Sequence, residues 1–121
     1  TFRLERHTWG GLCPEGPCGS TLTVGPYGAW TLTTEGGDDS GRLEEDELAA
    51  LVEAAAGSRL SAAPQTTRCE ADADGTSVRY VWTVRGAQSV ASSCEVAFDE
   101  DDPLVEAAER LAANLVSARD R

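Results

Sequence analysis

Val78-Arg79-Tyr80-Val81-Trp82-Thr83-Val84-Arg85 decides the fold. Val78, Tyr80, Trp82 and Val84 alternate strictly with Arg79, Val81, Thr83 and Arg85. That period of two puts one set of side chains on a core and the other toward solvent. A strand is expected here, with Trp82 in the core. Gly86-Ala87-Gln88 supplies a turn, and Ser89 to Phe98 reads as the returning strand. Asp102 then stands as a cap, with Pro103 at the first helical position. Val105, Ala108, Leu111, Ala112 and Leu115 follow at three-to-four spacing and form the buried face of that helix. Arg110, Arg119 and Arg121 suit its negative C-terminal end.

Upstream, further strands and a helix are legible, with no internal sequence repeat. Phe2 to Arg6 alternates like a half-buried strand, ended by Trp9-Gly10-Gly11. Thr21 to Val24 and Ala29 to Thr33 form a hairpin around Gly25-Pro26-Tyr27-Gly28. Glu35 to Gly41, rich in Gly and Asp, reads as a flexible polar connection. A helix follows, with Glu44 as cap, Glu47 in the first turn, and Leu43 and Leu48 placed as a hydrophobic staple. Leu48, Leu51, Val52 and Ala55 make its apolar stripe, and Gly57 its stop. Ser61 to Gly75 reads as a loop. The order ββ(β)-α-ββ-α predicts an α+β domain: an antiparallel sheet of about four to five strands with both helices on one face.

The 121 residues suit a single domain, which buries roughly two thirds of its unfolded surface. The formal net charge of -11 disfavours nucleic acid and anionic membrane surfaces as partners. No apolar run approaches the roughly 20 residues of a membrane helix. The chain starts at Thr1 without a Met or a leader, consistent with removal of a signal, lipid anchor or linker. All ten basic residues are Arg, and Lys, Ile and Met are absent, the mark of a GC-rich genome.

Four cysteines, Cys13, Cys18, Cys69 and Cys94, imply two disulfides and an extracytoplasmic location, secreted or at the cell envelope. Cys13 with Cys18 and Cys69 with Cys94 is the economical pairing. The other two connectivities remain open. Closing Cys69 to Cys94 stabilises by about 3–4 kcal/mol in the chain-entropy picture. The spacing matches neither a C-x-x-C redox motif nor a zinc site. Glu70 to Gly75 imitates the start of a calcium loop, but its twelfth position is Val81, inside the best strand. Asp99 to Asp102 reads as dipole complement and solubility. His7, the lone histidine, has no nucleophile in a G-x-S-x-G context, so no catalytic residues are assigned and no enzyme is expected. No metal or other cofactor is called for.

Several short motifs carry a resemblance. Arg6-His7-Thr8-Trp9-Gly10-Gly11 closes the first strand as Arg-x-x-x-Gly-Gly. Gly41-Arg42-Leu43 opens a helix containing Glu47-Leu48 and Leu51. Tyr80 lies in the central strand, and Pro103-Leu104 opens a helix that closes with Leu111 and Leu115. The pattern resembles the emfourin family of protealysin inhibitors, and related small secreted actinobacterial proteins with a C-P-x-G-x-C loop. The resemblance implies a folded inhibitor of thermolysin-like zinc metalloproteases. The chain departs from the family's G-G-F-A-G pattern: Gly10-Gly11-Leu12 runs into the cysteine loop before Gly19.

The expected partner surface is therefore Trp9, Gly10, Gly11, Pro14, Glu15, Gly16, Pro17 and Gly19. Two prolines, several glycines and a staple would lower the entropy cost of presenting this loop to a protein. Against a zinc enzyme, Glu15 is the hard oxygen ligand able to approach the metal. The alternative expectation is a non-inhibitory envelope module, the soluble part of a lipoprotein, that binds another surface protein. The sequence leaves the oligomeric state open.

Overall fold

In the computed structural model, residues 1–10, 19–66, 69 and 76–119 are described. The elements run β1 (Arg3–Gly10), β2 (Ser20–Val24), β3 (Ala29–Thr34), β4 (Gly37–Arg42), α1 (Glu45–Ala56), a 3₁₀ turn (Leu60–Ala62), β5 (Thr76–Val84), β6 (Ala87–Ser92) and α2 (Pro103–Arg119). The strands form one antiparallel sheet in the order β4-β3-β2-β1-β5-β6.

The α+β class and the antiparallel sheet agree with the sequence reading, but the strand count does not: six strands replace the four to five expected. The additional strand is β4, in the stretch read as a flexible connection. Glu35 and Gly36 form the turn, and Gly37–Arg42 pairs back along β3. Its composition, Gly-Asp-Asp-Ser-Gly-Arg, carries no apolar alternation, so period two is invisible there. Pairing with β3 supplies the order. Gly41 lies opposite Trp30, and a Cβ at Gly41 would come within 2.7 Å of the indole ring. The glycine lets the aromatic ring lie across the edge strand.

β1 also runs further than read, through Gly10. The β5–β6 turn sits at Arg85-Gly86, both with positive φ (53° and 80°), the two-residue geometry that matches strand twist. The returning strand ends at Ser92, because residues 92–96 turn, with the Ser92 carbonyl accepting from Glu95 and Val96 N–H.

The register puts Leu4, Leu22, Val24, Leu32, Tyr80, Trp82 and Ala91 on one face, in one cluster with Leu51, Ala55, Leu60, Leu104, Val105, Ala108 and Ala112. Both helices thus share that face. Leu4, Leu22, Leu32, Leu60 and Leu104 are essentially inaccessible, each contributing about 2 kcal/mol by transfer. The caps read from sequence are in place. Glu47 accepts the Glu44 N–H at 3.0 Å, and Asp102 accepts the Leu104 N–H at 2.9 Å. Asp102 is also buried and takes the Ser58 hydroxyl at 3.0 Å and the Arg59 N–H at 2.8 Å. The last acid of the 99–102 run therefore ties the end of α1 to the start of α2, which a solubility role does not describe.

Among the described residues there is one disulfide, Cys69–Cys94, with Cα atoms 4.2 Å apart. It leaves neither cysteine for Cys13 or Cys18, so the two crossed connectivities fall away. The second expected bridge, Cys13–Cys18, lies outside the described residues. No helix among them is long and apolar enough to cross a membrane.

Candidate functional site

The expected partner surface is divided by the structure. Trp9, Gly10 and Gly19 come together at one end of the sheet. Gly11, Pro14, Glu15, Gly16 and Pro17, with Cys13 and Cys18, lie outside the described residues. Trp9 sits on the helix-free face with Arg3, Glu5 and His7, since side chains alternate along β1. It is 37% exposed, whereas Trp82 is buried and Trp30 packs against the core. Gly10 takes φ 86°, a conformation that favours glycine, just where the chain enters residues 11–18. On the other face, the Thr8 and Ser20 hydroxyls meet at 2.7 Å and tie the ends of β1 and β2. A shallow depression of about 460 Å³ lies at this end of the sheet, bordered by His7, Trp9, Gly19, Thr21, Thr33 and Glu35.

The disulfide belongs to this end. Ser77 is the ladder partner of Trp9 and is fully buried on the helix-free face. Its hydroxyl lies 3.2 Å from Cys94 Sγ and 3.5 Å from Cys69 Sγ. A disulfide sulfur carries no proton, so the hydroxyl donates. A covalent link therefore packs directly on the residue opposite Trp9, which fixes the strand that presents the indole.

His7 lies between two polar side chains, an arrangement the sequence does not reveal because Thr21 reaches it only through the β1–β2 register. Its Nδ1 is 3.3 Å from Thr21 Oγ1, and its Nε2 is 3.3 Å from Glu5 Oε1. Arg79 stands opposite across the β1–β5 ladder. The order hydroxyl–imidazole–carboxylate imitates a relay, but it lies on a flat sheet face. The neighbouring peptide N–H groups of β1 are committed to the ladders with β2 and β5, so none is free to stabilise an oxyanion. Among the described residues, the cluster can present charge and hydrogen bonds to a partner and has no oxyanion donor beside it.

The sequence reading missed Glu109. It accepts Arg6 Nε at 2.6 Å and a second guanidinium N–H at 2.7 Å, and the Tyr80 hydroxyl also donates to it. Arg6 is on the core face of β1, in line with Phe2 and Leu4, and its side chain is only 13% exposed. A buried cation requires a counter-charge, and α2 delivers one at the margin of its apolar stripe, four residues after Val105. Burial opposes the Arg6 charge, but the hydrogen bonds and charge of Glu109 outweigh it and raise the Arg6 pKa. Burial would lift Glu109, yet hydrogen bonds from Arg6 and Tyr80 and the Arg6 charge hold it below the usual carboxylate value. Burial first, then the Glu109 carboxylate, push the Tyr80 phenol far above its ordinary value. Arg6 and Tyr80, two carriers of the resemblance, therefore clamp α2 to the sheet and do not face a partner.

Other features carry less chemistry. An apolar depression of about 680 Å³ lies between α1 and the β1 and β5 ends, lined by Phe2, Leu48, Val52 and Val84. Among the described residues, no group of three or more His, Cys, Asp or Glu is placed to hold a metal ion. The calcium-like run 70–75 lies outside them, while Val81 is in β5 as expected. In comparisons with known proteins, no protein-family model matches the chain, and no curated protein does.

Proposed function

We propose that this chain is an extracytoplasmic binding protein that acts as a folded inhibitor of thermolysin-like zinc metalloproteases. Its contact surface is centred on Trp9 and the 10–19 segment that follows. The observation that carries this reading is a partly exposed Trp9 held opposite Ser77 and the Cys69–Cys94 disulfide. Tryptophan is the side chain most enriched at energetic centres of interfaces, and a surface fixed before binding loses little entropy on docking. The disulfide fits an oxidising compartment, which supports the extracytoplasmic part of the proposal. The motif resemblance to the emfourin family supplies the target class.

The test is titration of the oxidised protein against a thermolysin-like metalloprotease and a subtilisin-like serine protease. Stoichiometric inhibition of the zinc enzyme alone is expected. Inhibition of neither would overturn the inhibitor reading and favour an envelope module that captures another surface protein.

A further inference from the structure

The two edges of the sheet are protected unequally. β4 carries Asp38 and Asp39, and charge on an edge strand discourages further pairing. β6, Ala87-Gln88-Ser89-Val90-Ala91-Ser92, carries no charge and no proline. The register settles which of its peptide groups face outward. The Arg85-Gly86 turn closes on Val84 and Ala87, and the Ser93 N–H donates to the Val78 carbonyl. Ala87, Ser89 and Ala91 therefore bond toward β5, while Gln88, Val90 and Ser92 turn their peptide groups away. The Ser92 carbonyl is occupied by Glu95 and Val96 N–H. Gln88 and Val90 are exposed, and outside the β5–β6 ladder their peptide groups have no hydrogen-bond partner among the described residues. Val90, 45% exposed, adds an apolar side chain on the helix-free face beside Val81.

We propose that β6 pairs with β6 of a second copy, antiparallel about a two-fold axis at Ser89, joining two six-stranded sheets into one. Gln88 then exchanges both peptide hydrogen bonds with Val90 of the partner subunit, and the reciprocal pair does the same. This register uses the outward peptide groups of both Gln88 and Val90. Centring the axis on Val90 would set Gln88 against Ser92 of the partner subunit, whose carbonyl is already taken. Centring it on Gln88 would set Val90 against the turn at Gly86 of the partner subunit. Side chains agree with the first register: Val90 lies against the Gln88 stem, Ser89 meets its symmetry mate, and no charged β6 residue faces a like charge.

One short strand pair buries less than a standard interface, so dissociation is expected at roughly 10 µM to 1 mM. Each copy carries a net charge of -11, so screening strengthens the dimer and added salt favours it. A dimer held by ion pairs would respond in the opposite direction.

The test is sedimentation velocity of the oxidised chain from low micromolar to about 1 mM, at low and high salt, with amide exchange read at Gln88 and Val90. A monomer–dimer equilibrium that tightens with salt is expected, with both amides gaining protection as concentration rises. Val90→Pro removes an outward N–H without touching the β5 ladder, a position where an edge strand tolerates proline. It should leave a folded monomer, and Val90→Lys should do the same by charge. A chain that stays monomeric throughout would overturn the proposal, as would a dimer that both variants leave intact. Protection of Gln88 and Val90 that arises only on adding a metalloprotease would also overturn it, because the edge would then receive a partner's strand.

Discussion

Glu109 is the one acceptor shared by two donors on the core face, the Arg6 guanidinium and the Tyr80 hydroxyl. Glu109→Ala leaves both behind, and a buried donor without a partner costs more than the net value of its bond. The Glu109 side chain is 43% exposed, so water recovers part of that cost, and the expected loss is about 2 kcal/mol in denaturant unfolding. The pH dependence has a definite sign. The Glu109 carboxyl titrates lower in the folded protein than unfolded, so its contribution is complete above the unfolded value of about 4.3 and is lost as pH falls through the folded value. The stability gap between wild type and Glu109→Gln should therefore be widest near neutrality and narrow in acid. A gap unchanged between pH 7 and pH 3 would contradict the clamp. In sequence, Arg6 was visible as a motif residue but its role was not, because its partner lies 103 positions away on another element.

At the scale of elements, legibility followed local cause. β5 and α2 were readable because alternation, the Asp102 cap and Pro103 act within a few residues. β4 was not, because its order comes from β3 and from the fit of Gly41 beneath Trp30. That account predicts that Gly41→Val, normally favourable to strand, destabilises here by about 1–3 kcal/mol through overpacking. The readout is the urea midpoint. A stabilised variant would mean that Trp30 does not rely on the glycine. Of the candidate site, the sequence offered Trp9 as a contact residue beside the cysteine loop; its pairing with Ser77 and the nearby disulfide depend on a β1–β5 register that no local pattern encodes.

For the whole molecule, the Cys69–Cys94 link spans from the segment before β5 to the turn after β6 and sets one end of the sheet. Replacing both cysteines by serine should cost about 3–4 kcal/mol, which for a chain of this size lowers the melting temperature by roughly 10–15 °C. An unchanged melting temperature would show that the sheet end holds without it. The same architecture gives the sheet one face covered by helices and one on which, among the described residues, no helix packs. Trp9 is the large aromatic of that second face, and the binding account rests on it. The most direct measurement is therefore a titration of a thermolysin-like metalloprotease with wild type and with Trp9→Ala, both oxidised and both checked for the same melting temperature. The account predicts stoichiometric inhibition by wild type and an inhibition constant weakened by roughly 30-fold or more in Trp9→Ala, the loss of an interface hot spot. Equal inhibition by the two proteins, or none by wild type, would contradict it.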